Sequence, residues 1–162
     1  MVKLRWKDKW IDFVSVDWSG TDNQCSRQVA FSVPNNPYDK TFEQLGIALG
    51  DLIYLYDKKR FFIGTVTNRE RSAETGSATY TAKDFMHYLL NSSGTFKFKN
   101  TTPEKMTRKV CSDLKIKTGS LAVTNFKISK LIFDDQKMYD IIVSGYRRAC
   151  LLYTSDAADD KA

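Results

Sequence analysis

Few side chains in this 162-residue sequence stand where they could do chemistry. The single histidine, His87, follows Asp84 by three residues, a spacing that sets both on one helical face, where they could exchange a proton. No nucleophile accompanies them, so a local helix contact explains the pair better. Glu70 and Glu74 in RERSAETGSA could serve as acid and base on a glycosidic bond, but nothing nearby builds the apolar pocket that raises a carboxyl pKa. Ser92-Ser93-Gly94 lies where a helix should stop and reads as a turn, not a hydrolase elbow. Neither glycine-rich phosphate loop occurs. Cys25, Cys111 and Cys150 are odd in number, far apart and outside C-x-x-C spacing, which argues against a disulfide framework and a zinc site. The expectation is no catalytic residue, no metal ligand and no cofactor site.

What the chain has instead is aromatic rings at strand spacing. GDLIYLYDKKRFFIGTV places Leu52, Tyr54 and Tyr56 on one face of a strand and Ile53 and Leu55 on the other. Both faces are apolar, so the strand should be covered on both sides, as in a barrel with protein packed outside it. Tyr54, Tyr56, Phe61 and Phe62 are the residues expected at a protein interface. An alternative uses the same rings with Trp6 and Trp10, and the charges of Lys58, Lys59 and Arg60, to stack and neutralise single-stranded nucleic acid.

The surrounding elements are read from period and punctuation. WIDFVSVDWSG reads as one strand ending in the turn formers Ser19 to Asn23, and RQVAFSV as a second with Val29, Phe31 and Val33 on one side. Pro34 and Pro37 stop it. FFIGTVTNRERS follows the turn at Asp57 to Arg60, with Gly64 marking a bulge or a close backbone approach, and SATYTAKD adds a short strand. Helical spacing begins after Asp84, a candidate N-cap, with Phe85, Tyr88 and Leu89. After the extended piece GTFKFKN, Thr102 and Pro103 open a helix whose Met106, Val110, Cys111 and Leu114 share a face. TGSLAVTNFKISKLIF reads as one or two short strands, and KMYDIIVSGYRRA as a helix presenting Met138, Ile141, Ile142 and Tyr146. Strands first and helices later give an α+β class: an N-terminal antiparallel β-barrel-like domain followed by a small helix-strand-helix segment. The expected divisions are 1–98, 99–149 and a tail, 150–162.

The totals set limits. A 42% hydrophobic, 13% aromatic chain can bury a core. There is no run of 18 apolar residues, and MVKLRWKDKW carries charge where a signal peptide needs its apolar stretch. Synthesis and retention in the cytoplasm, without a membrane, are therefore expected. The net charge of +6 is spread as KDK, KDKKR, RERS and KFK among acidic neighbours, the pattern of a solvated surface.

Taken in order, VAFSVPNNPYD, LGDLIYLYDKKRFFIGTVTNRERS, TYTAKDFMHYLLNSSGTFKFKN, TPEKMTRKVCSDLKIKTGSLA and KMYDIIVSGY resemble the N-terminal part of the baseplate hub proteins of contractile-tailed bacteriophages and phage-derived defective particles. The resemblance runs from about Trp18 to Tyr146. It implies β-barrels that continue the ring symmetry of a tail tube, in a non-enzymatic structural protein joining tube to spike. It also implies partners: copies of itself as a homotrimer in the full-length protein, the tail tube and other baseplate proteins, with no specific nucleic acid. The location implied is the virion baseplate, of a phage or a relic prophage, after synthesis in the host cytoplasm. Such hubs are longer than this chain, which therefore reads as a fragment. The resemblance stops after Arg148. LLYTSDAADD looks like a translated sequencing adapter of the kind that ends reading frames in metagenomic assemblies, so a non-native, frayed tail is expected from Cys150.

Overall fold

Alternation of apolar and polar side chains drives the first half of the chain into strands whose inner row must be buried. In a computed structural model, residues 1–20, 25–36, 38–39, 41, 44–72 and 76–159 are described, and two compact units divide between His87 and Tyr88. Met1–His87 holds β1 (Lys3–Trp6), β2 (Lys9–Ile11), β3 (Ser15–Ser19), β4 (Gln28–Pro34), β5 (Leu52–Tyr56), β6 (Arg60–Ser72) and β7 (Ser77–Lys83). They form one antiparallel sheet in the order β2-β1-β5-β6-β7-β4-β3. The inner row is continuous: Ile11, Leu4, Leu55 and Phe62 lie opposite one another across four strands, and Val29, Phe31 and Val33 face Ala82, Tyr80 and Ala78. All are buried, each larger side chain contributing about 1.5–3 kcal/mol. Phe31 and Tyr80 stack with centroids 5.4 Å apart.

The sheet is curled into a half-barrel, and chain connectivity requires it. β2 and β3 stand at opposite ends of the strand order, yet only Asp12 to Val14 separate them in sequence. Six steps of about 4.8 Å would set the edges of a flat sheet roughly 29 Å apart. The four Cα steps from Ile11 to Ser15 span at most about 14 Å. The strand read as continuous over WIDFVSVDW is therefore broken: β2 closes on β1, the link crosses the opening with Phe13 packed against the core, and β3 pairs with β4. No pairing joins β2 to β3 among the described residues, so the sheet is barrel-like but not closed.

β6 spans two neighbours, pairing with β5 up to Thr65 and with β7 from Thr65 onward. Gly64 sits at that crossing, where a β-carbon would meet the Lys83 carbonyl oxygen at 2.5 Å. A close approach is thus the reason for this glycine, while the bulges fall at Phe61 and Thr67. Asp84 caps α1 (Met86–Asn91) through the Met86 N–H at 3.2 Å, and also accepts from the Ser26 hydroxyl (2.9 Å) and the Arg27 N–H (3.0 Å). Thr21 to Asn23, Pro37 and Glu74 lie outside the described residues.

Tyr88–Ala162 holds β8 (Ser93–Thr101), α2 (Pro103–Asp113), β9 (Ile128–Lys137) and α3 (Met138–Asp159). β8 pairs with β9 along its length, so it belongs to this unit, and the division falls before the expected 98/99 boundary. Phe96, Phe98, Ile128, Leu131 and Phe133 turn inward to Met106, Val110 and Cys111 of α2 and to Met138 and Ile141 of α3. Thr102 occupies the N-cap position of α2 without a side-chain cap bond, and Pro103 is at its first turn. Of TGSLAVTNFKISKLIF only the part from Ile128 is strand, because the rest is held by side chains: the Glu104 carboxylate accepts the Thr124 N–H (3.0 Å) and hydroxyl (3.3 Å), and the Tyr146 hydroxyl donates to the Ala122 carbonyl (3.1 Å). Where a frayed end is expected from Cys150, the backbone of α3 is helical to Asp159.

Candidate protein interface

On β5, Ile53 and Leu55 enter the core and the alternate residues face out. The register sets Trp10, Arg5, Tyr54 and Ile63 in one cross-strand row and Lys3 opposite Tyr56 in the next. This outer face is not covered: Trp10 is 59% and Leu52 37% exposed, and Tyr54 and Tyr56 are half-buried. Among the described residues the outer side of β5 therefore lacks the cover expected on both sides. In its place the rings brace one another and carry cations. Trp10 and Tyr56 meet edge to face at 5.3 Å, the Lys3 ammonium lies 5.8 Å from the Trp10 ring centroid, and the Arg60 guanidinium 5.9 Å from that of Tyr54. Hydrogen bonds to Tyr56 first and then to Asp8, whose carboxylate is 2.8 Å from the guanidinium, hold the Arg5 proton more tightly than usual.

The four residues expected at an interface separate. Tyr54 and Tyr56 share the outer face, whereas Phe62 is 5% exposed and belongs to the core, so it has no interface surface to offer. Phe61 is the bulge residue: Tyr56 pairs with Arg60 and Leu55 with Phe62, which leaves Phe61 without a partner across the ladder. Its ring meets Trp18 of β3 at 5.8 Å, and the Arg27 guanidinium covers Trp18 at 5.6 Å. No spacing in the sequence links Trp18 and Arg27 to Phe61; only the curl of the sheet joins them. Trp6 is buried, its indole N–H donating to the Asp51 carboxylate at 2.9 Å, and so presents no stacking platform. The Ala48 N–H, against some burial, and then Trp6 and Lys7 hold the Asp51 carboxyl below the usual carboxylate range.

Of the candidate reactive groups, His87, Asp84 and Glu70 are among the described residues. The His87 backbone N–H bonds the Asp84 carbonyl at 3.2 Å, and Glu70 lies exposed on β6 accepting from Asn68 at 3.0 Å. Among the described residues no three His, Cys, Asp or Glu side chains gather closely enough to hold a metal. Burial pushes the Cys25 thiol up to about 11, with Asp84 adding to it, and burial also raises Cys111. Among the described residues no helix is long and apolar enough to cross a membrane.

The chain as a whole is similar to known proteins. The YQBQ-like family model matches residues 16–151. YqbQ and the phage-like element PBSX protein XkdQ, both of Bacillus subtilis strain 168, are each 26% identical over 144 residues, covering 86% of this chain and 43% of the relative. The chain thus spans less than half the length of these curated relatives. The fold is shared with the 43 kDa tail protein of prophage MuSo2 from Shewanella oneidensis (TM-score 0.75, 14% identity, 91% of this chain and 47% of that one). It is shared also with the tail protein from Neisseria meningitidis MC58 (TM-score 0.67, 11% identity, 87% and 43%).

Proposed function

Because the chain belongs to the YQBQ-like family, we propose that it is a non-enzymatic structural part of a phage tail, the baseplate hub joining tail tube to spike, and a homotrimer in its full-length form. The observation that carries this reading is the open outer face of β1, β2 and β5. Trp10, Tyr54 and Tyr56 stand there on rigid strands, braced by Lys3, Arg5 and Arg60, and no reactive group lies among them. Rigid amphipathic rings flanked by arginine suit protein contact, since they lose little side-chain freedom on association. The PBSX relative and the two tail proteins of the same fold support a place in a tail assembly. Tyr54 and Tyr56, joined by Trp10, are its interface residues, and the tail tube, baseplate proteins and further copies of the chain its partners.

Immunogold electron microscopy of particles from a host carrying the gene tests the location. Label at the baseplate end of the tail is the expected result; label on the capsid, or none on intact particles, refutes it. Incubation with purified peptidoglycan is expected to release no soluble fragments. Steady release would overturn the non-enzymatic reading.

A further inference from the structure

We infer that the open edge of β3 takes an extended, acidic segment of a partner polypeptide as an added strand, seated beside Trp18 and Phe61. The two edges of the sheet are unequal. β2 is three residues long, begins at Lys9 and follows a tight turn in which Lys7 has φ 52°, features that blunt an edge against pairing. β3 is less protected, with a single charge, the exposed Asp17. Its five residues SVDWS contain no lysine, proline or bulge, all but Val16 are exposed, and among the described strands it pairs with β4 alone.

Beside that edge opens a slot of about 560 Å3 lined by Val2, Trp18, Asp57, Lys58, Lys59 and Phe61. Its floor is apolar: Trp18, 51% exposed, and Phe61, 39% exposed, meet at an interplanar angle of 75°. Its rim is basic. Asp57 is occupied by the N-terminal ammonium of Met1 at 2.8 Å, which leaves Lys58 and Lys59 to set the sign. Strand alternation directs Asp17 to the face opposite Trp18, so it does not oppose an acid in the slot. An occupant that satisfies all three features gives main-chain bonds to β3, an apolar side chain to the rings and a carboxylate to the lysines. A second copy of β3 offers one carboxylate between serines and matches the floor but not the rim. The inference concerns the seam of the half-barrel and stands apart from the hub assignment.

Fluorescence anisotropy tests it with a labelled peptide of alternating valine and threonine flanked by glutamates, beside a lysine-flanked peptide and a backbone N-methylated version of the first. The intact chain is expected to bind the glutamate peptide and neither control. The exposed double variant Lys58→Glu/Lys59→Glu should weaken binding about tenfold, and Lys117→Glu, far from the slot in sequence, should not change it. Equal binding of the lysine-flanked or N-methylated peptide overturns the inference, as does failure of the glutamate peptide to bind. Self-association in sedimentation that Asp17→Pro abolishes would make a second copy the occupant and overturn it too.

Discussion

Replacing Gly64 by alanine should unfold the half-barrel at a much lower temperature. The added β-carbon would stand 2.5 Å from the Lys83 carbonyl oxygen, 2.8 Å from its carbon and 2.7 Å from Cζ of Phe62. The Phe62 ring can move only by leaving the core, and the Lys83 carbonyl belongs to the end of β7, whose register with β6 it would have to abandon. Overpacking of this kind costs about 1–3 kcal/mol, and a contact with backbone falls at the upper end. The alanine returns roughly 0.5–1 kcal/mol by restricting the unfolded chain, so the net loss is about 2 kcal/mol. For a unit of this size that lowers Tm by roughly 8–16 °C. The three tryptophans, Trp6, Trp10 and Trp18, all lie in Met1–His87, so their fluorescence follows this unit's melting. Gly46→Ala is the control, since nothing lies within 4 Å of its β-carbon position. Should Gly64→Ala melt within about 2 °C of the wild type, or Gly46→Ala fall as far, the close-approach argument is refuted.

Adjacent phenylalanines should behave oppositely: Phe62→Ala removes a 5% exposed core ring and should cost about 3–5 kcal/mol, and Phe61→Ala, 39% exposed, about 1 kcal/mol or less by urea titration. Exposed Cys150 should react first with iodoacetamide; Cys25, its thiol raised to about 11, and buried Cys111 should lag until denaturant is added, which mass spectrometry of timed aliquots will show. The carboxyls of Asp51 and of Glu104 have lowered pKa values, the latter because bonds from its own N–H, Thr102 and Thr124 outweigh burial. Each adds stability that is fully present above its unfolded-state value, 3.8 for Asp51 and 4.5 for Glu104, and is lost as pH falls through the lower folded-state value. Melts between neutral and acid pH should therefore converge for Asp51→Asn and the wild type as Asp51 protonates, and a constant gap would count against the linkage.

Local signals made the strands and helices legible, and long-range closure did not. Alternation alone identifies the inner row Val29, Phe31 and Val33, and the Asp84 and Pro103 punctuation finds the starts of α1 and α2. The break at Asp12 to Val14 carries only a faint mark, the adjacent Phe13 and Val14, where the apolar residues shift from odd to even positions; the need to connect two distant edges makes it compulsory. Likewise GTFKFKN reads as strand, but its partner β9 lies beyond α2 and a stretch tied by Glu104 and Tyr146, so pairing decides its unit. At the candidate interface Tyr54 and Tyr56 were readable from period. Phe62 is not separable from Phe61 by period, since the bulge that leaves Phe61 39% exposed is set by the register against β5.

The charge decides between protein and nucleic acid as the partner of the aromatic face. The net +6 is unevenly divided: Met1–His87 has twelve Lys and Arg against eleven Asp and Glu, and Tyr88–Ala162 has thirteen against eight. The exposed rings Trp10, Trp18 and Phe61 therefore sit in the nearly neutral unit. The excess charge sits in the other, where Lys99 lies opposite Lys130 across β8 and β9, a like-charge pair that costs a few tenths of a kcal/mol. Single-strand binding needs rings beside cations that clearly outnumber the acids, and around these rings the twelve Lys and Arg of the unit, Lys58 and Lys59 among them, are nearly balanced by eleven Asp and Glu. Labelled single-stranded DNA should accordingly bind only at low salt, through the lysines of β8 and β9, and be released near about 150 mM. Lys99→Ala/Lys130→Ala should reduce that low-salt signal and Trp10→Ala should not. Micromolar binding that survives physiological salt and disappears with Trp10 would show that the rings stack on bases, and the outer face would then be a nucleic-acid platform instead of a surface for protein.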